Sequence, residues 1–122
     1  MSTWGPGNFD SEMNSEWLQD FQQELVDRIR TIIQNPEKIA PDASGEWDMM
    51  PNLDILTTVA TKHRLIAPLT VDEVQSWKQK YLDAYAKYSA ALPENAKFDK
   101  LRIPVIRRTF DSLIRCVKKA QS

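Results

Sequence analysis

Cysteine, histidine and glycine are scarce in this chain: one, one and three in 122 residues. Cys116 alone cannot form an intrachain disulfide, and a single thiol suits a reducing compartment. With His63 as its only companion, it cannot build a nitrogen–sulfur zinc centre. No run of acids has EF-hand spacing, and no Gly-x-Ser-x-Gly elbow offers a serine nucleophile. The residues therefore call for no metal and no cofactor. A long apolar run is missing too. The longest uncharged one, about Leu65–Val71, contains Pro68, so no membrane span is expected. No basic segment followed by an apolar one opens the sequence, and the expected address is the cytoplasm.

What is present is an ordinary globular composition, 42% hydrophobic and 27% charged, which argues against wholesale disorder. The length suits one domain. The net charge of −1 conceals a division. Eleven acids and three bases give residues 1–54 a charge of −8, while six acids and thirteen bases give residues 55–122 a charge of +7. Such halves either pack against each other or present surfaces of opposite sign to different partners.

Strand alternation, internal repeats and low-complexity runs are absent, and helical periodicity dominates. Over about 11–35, Met13, Trp17, Phe21, Leu25, Ile29 and Ile32 or Ile33 recur at three- and four-residue steps, and Pro36 ends the pattern. A second helix is expected within about 46–65, its start blurred by Pro51. A third is expected over about 71–92. There Thr70 and Glu73 spell a capping box, and Trp77, Tyr81, Tyr85 and Tyr88 form a stripe read as core edge. A connection through residues 94–103 then leads to a fourth helix beginning near Pro104 and running to about 119. The expected fold is all-α, a compact bundle of about four helices.

Residues 1–10 read as a clasp. Gly5 and Gly7 offer positive φ around Pro6, Trp4 and Phe9 supply buried anchors, and Phe9 is expected to lean on Met13. Asp10 or Ser11 can cap the first helix. The stretch from Trp4 through Glu12, with Gly5, Gly7, Phe9 and Asp10 at fixed spacing and Trp17-Leu18 after it, resembles the opening of a family of small bacterial proteins. That family is catalogued as domain of unknown function 4259. The resemblance covers about fifteen residues, with a further Leu-Thr-x-Asp-Glu-x-x-x-Trp segment at Leu69–Trp77. It implies a small helical bacterial protein and brings no activity.

Glu12, Glu16, Asp20, Glu24 and Asp27 follow at steps of four, four, four and three on the first helix. Like charges so spaced are surface neighbours, and the row costs its isolated helix about 1–2 kcal/mol. It borders Met13, Trp17, Phe21 and Leu25, as the rim of a hydrophobic contact would. Two readings stand open. Either the basic fourth helix neutralises the row from within, or the row faces a basic partner protein. Lys97, Lys100, Arg102, Arg107, Arg108, Arg115, Lys118 and Lys119 against Asp99 and Asp111 put +6 on residues 97–119, a possible phosphate-binding patch. An Arg107–Asp111–Arg115 salt ladder is the plainer reading, and a pI near 5.8 weighs against a dedicated nucleic-acid binder. His63 shares a face with Leu56, Val59 and Ala60 and reads as structural. Cys116, beside Arg115, is either an inert small group or an activated thiol.

Three functions follow. The first is an interaction module, antitoxin- or immunity-like, using the acidic face. The second is a ligand-binding protein or enzyme with a pocket between the third and first helices, using His63, Tyr81 and a carboxylate. The third is a weak nucleic-acid binder through the basic C-terminal helix.

Overall fold

The computed structural model describes residues 5–121. The protein is an all-α bundle of four helices: α1 Glu12–Ile33, α2 Met50–His63, α3 Val71–Ala91 and α4 Ala96–Gln121. A single π-helical turn, Gly45–Met49, leads into α2, and a 3₁₀ turn, Pro93–Asn95, leads into α4. Among the described residues there is no strand.

Local chemistry sets each start. Ser11 caps α1 by accepting from the Asn14 N–H at 3.2 Å. Thr70 does the same for α3, accepting from Glu73 N–H at 3.1 Å. The reciprocal half of the expected capping box is not made, because the Glu73 carboxylate turns to Arg30 of α1 instead (2.8 and 2.9 Å). Pro51 sits in the first turn of α2, where its missing N–H costs nothing. The start of that helix is thus later than the sequence pattern suggests, and the π turn fills the gap.

The fourth helix corrects the sequence reading. It starts at Ala96, not near Pro104, and Pro104 lies inside it. A proline there removes one backbone hydrogen bond and crowds the preceding turn. Side chains on the first two turns outweigh that cost. Asp99 is buried and accepts hydrogen bonds from the Tyr85 hydroxyl (2.7 Å) and the Ser89 hydroxyl (2.5 Å). Arg102 is held by Glu46. Pro104 itself faces solvent, so the freed carbonyl side is open to water.

α2 lies between α1 and α4, and α3 packs chiefly on α4. The core centres on Ile29, Leu53, Leu56, Tyr81, Ile106, Phe110 and Leu113, all fully buried. Trp77, Tyr81 and Tyr85 lie inside it rather than at the edge the sequence suggests, the two tyrosine hydroxyls being taken up by Glu46 and Asp99, and only Tyr88 is half-buried. Gly45 is needed where the π turn meets the preceding loop. A Cβ there would collide with the Ile39 carbonyl and stand 2.7 Å from the Tyr81 ring. Gln22 of α1 donates to the Leu65 carbonyl at 2.7 Å, fastening α1 to the chain leaving α2.

Candidate functional site

The first helix is amphipathic in three sectors rather than two. Leu18, Gln22, Leu25, Val26, Ile29, Ile32 and Ile33 face the core. Met13 and Trp17, expected in that seam, point outward with 63% and 61% of their surface exposed. Phe21 is half-buried at the boundary. Between this ridge and solvent run Glu12, Glu16, Asp20, Glu24 and Asp27, all exposed.

The aromatic ridge is continuous. Trp17 lies nearly parallel to Phe21 (centroids 6.0 Å, planes 5° apart) and to Phe9 (6.1 Å, 19°). Phe9 also meets His63 edge-on at 4.6 Å. The opening turn therefore does clasp the domain, through Trp17 and His63 in place of the expected Met13. Asp10 holds that turn by accepting from the Gly7 N–H at 2.7 Å, and leaves the helix cap to Ser11. Neither Gly5 nor Gly7 has positive φ, contrary to the sequence reading. They matter for closeness: a Cβ on Gly7 would lie 2.5 Å from Asp10 Oδ2, and one on Gly5 2.9 Å away. Trp4 lies outside the described residues.

The charge row is open to solvent and unpaired along most of its length. Among the described residues, Glu12, Glu16, Asp20 and Glu24 make no ion pair and no side-chain hydrogen bond. Only Asp27 is engaged, accepting from Gln23 at 2.9 Å and lying 3.7 Å from Arg30. Arg30 spends its better geometry on Glu73, and that guanidinium holds the Glu73 carboxyl below its usual range through a paired hydrogen bond. Arg28 makes no ion pair with Glu24. The far end of the row borders a shallow depression of about 590 Å³, with Phe21, Leu25 and Ile32 in its wall and Glu24 and Asp27 at its edge.

The basic fourth helix does not lie along this row, since α4 packs on α2 and α3. Nor do its cations form one patch. Arg102 is drawn inside, bidentate to Glu46 at 2.9 and 3.1 Å, where Tyr81 also donates its hydroxyl to the same carboxylate at 2.5 Å. Burial, then that hydrogen bond, pushes the Tyr81 hydroxyl well above the usual phenol range. The expected Arg107–Asp111–Arg115 ladder is absent, because Asp111 pairs with Lys78 of α3 at 2.8 Å and Arg115 donates to Ser112 at 3.0 Å. Arg107, Arg108, Arg115, Lys118 and Lys119 remain exposed on α4. In the first two turns of the same helix Phe98 and Leu101 stand against solvent, 61% and 75% exposed.

The sequence-expected pocket using His63 and Tyr81 is not assembled. His63 is committed to Phe9, while Tyr81 is committed to Glu46 in the core. Among the described residues no three potential metal ligands gather, and no helix is long and apolar enough to cross a membrane. The chain matches no family model, no curated protein and no solved structure.

The Glu46–Arg102–Tyr81 network escaped the sequence reading. Glu46 stands 35 and 56 residues from its two partners, and no local periodicity joins them. Met13 and Trp17 were misplaced for a simpler reason: their spacing fits a seam equally well whether the neighbouring helix covers it or not.

Proposed function

We propose that the chain is a non-enzymatic protein–protein interaction module. Its α1 face binds a basic partner, in the manner of antitoxin or immunity proteins that cover a cationic toxin. One observation carries the reading. Four stacked carboxylates lack any partner among the described residues, and they flank an exposed Met13–Trp17 ridge. The arrangement has an apolar strip for contact and a charged rim for orientation and rate. Covering Met13 and Trp17 contributes about 1–2 kcal/mol each, and Trp is the residue type most often found at such anchoring points. Membership in the bacterial family suggested by the opening motif belongs to the same proposal and adds no activity to it.

The test is affinity capture from the native cells at low and moderate salt, with the unaltered chain beside an Asp20→Lys/Glu24→Lys variant. The variant should fold, as circular dichroism reads, and lose a partner that the unaltered chain retains. The reading fails if both proteins capture the same partner at moderate salt.

A further inference from the structure

The C-terminal halves of α2 and α4, with the chain leaving α2, border an open cleft of about 1080 Å³. It lies apart from the α1 face, and the function proposed above makes no use of it. Lys62, Arg64, Arg115 and Lys119 line it, with no carboxylate side chain among its described lining residues. Thr61 and Ser112 add hydroxyls to its lining, and Leu65 and Ile66 add apolar surface.

Cations near the C-terminus of a helix have an ordinary use, since they offset its negative end. Here two such ends contribute about half a charge each. Lys62, Arg64 and Arg115 alone exceed that by about two positive charges. Neither Lys62 nor Arg64 has an ion pair or side-chain hydrogen bond among the described residues. Arg115 donates to the neutral Ser112 hydroxyl at 3.0 Å and pairs with no carboxylate among the described residues, so the excess charge is left for a ligand.

Arg64 adds a second observation. It takes φ 53° and ψ 36°, the left-handed conformation, and is the one described non-glycine residue with positive φ. A helix stop of this kind favours glycine, which adopts the conformation without steric cost. An arginine at this position keeps a strained backbone and adds an exposed, guanidinium-bearing residue to the lining of the cleft. Strain retained beside a cavity is the pattern of a residue kept for its side chain.

We infer that this cleft binds a small molecule of nucleoside-diphosphate size, its diphosphate on Lys62, Arg64 and Arg115 and its ring system against Leu65 and Ile66. The volume suits a ligand of that size, and the excess charge matches a diphosphate. Guanidinium groups grip phosphate oxygens in pairs, so Arg64 and Arg115 set the affinity and Lys62 acts as a point charge.

Titration calorimetry in metal-free buffer tests this with three probes: ADP, inorganic pyrophosphate and a twelve-residue oligothymidylate. ADP should bind, more weakly at about 200 mM salt than at about 50 mM. Arg64→Gly and Arg115→Gln should each weaken ADP about tenfold or more. Arg64→Gly should melt at or above the temperature of the unaltered protein, which separates lost binding from lost folding. Three results overturn the proposal: silence of ADP up to millimolar concentration, ADP affinity unmoved by both substitutions, or pyrophosphate binding as tightly as ADP. Tighter binding of the oligonucleotide than of ADP overturns it in favour of a nucleic-acid groove.

Discussion

Asp20 stands four residues from Glu16 and four from Glu24, so a lysine in its place turns two repulsions into two attractions. Each such pair is worth about 0.2–0.5 kcal/mol on a helix surface, and the change of sign counts twice. Because all three side chains are exposed and none has another partner among the described residues, solvent screening is the main discount. That leaves a gain of about 1 kcal/mol at low ionic strength. Unfolding entropy for a chain of 122 residues is about 0.26 kcal/mol per kelvin, so Tm should rise by about 4 °C. Calorimetry of Asp20→Lys in about 20 mM salt measures it directly. In about 1 M salt, where screening acts within about 3 Å, the gain should vanish. A Tm at low salt that stays level or falls would refute the reasoning, since the row would then be compensated in a way the geometry does not contain. The same substitution is expected to weaken partner binding, so stability and binding should move in opposite directions.

Other perturbations address the core and the loops. Glu46→Ala strands the Arg102 guanidinium and the Tyr81 hydroxyl together, at a cost of about 3 kcal/mol in urea unfolding, whereas Tyr81→Phe removes one hydrogen bond and costs about 1 kcal/mol. Gly45→Ala meets backbone carbonyls and a buried ring and should cost about 1–3 kcal/mol. Gly7→Ala meets only the movable Asp10 carboxylate, so it should shift the His63 ring resonances while leaving Tm nearly unchanged. The lowered pKa of Glu73 stabilises the fold at neutral pH, and this contribution fades as pH falls below the usual glutamate value of about 4.5 and through the depressed one. Glu73→Gln should therefore flatten the acid side of a Tm-against-pH curve.

The helices themselves were legible because 3.6-residue periodicity and caps are local signals. Ser11 and Thr70 act as N-caps where the side-chain chemistry places them, and Pro36 and Pro93 follow helix ends. Long-range electrostatics was not legible. Glu73 reads as the second half of a capping box, yet a guanidinium 43 residues away offers it two hydrogen bonds and wins. Asp111 likewise chooses Lys78 over its own helix neighbours. Pro104 misled for a related reason, since the side chains that hold α4 through it, Asp99 and Arg102, are polar and blend into a stretch that reads as a connection. At the candidate face, the row of acids was readable from spacing alone. Whether α4 lay beside it depended on packing: α4 packs on α2 and α3, and the row is left open to solvent.

Opposite signs on α1 and α4, two helices that do not lie along each other, give the molecule a permanent electric moment despite its net charge of −1. It behaves as a small bar magnet does, turning before it travels. An approaching polyion exerts a torque at distances of about a Debye length, roughly 8 Å in physiological salt, and so determines which helix leads at first touch. Dilution of salt lengthens that reach, so molecules near their isoelectric point should cluster in very dilute buffer and disperse again when a little electrolyte is added.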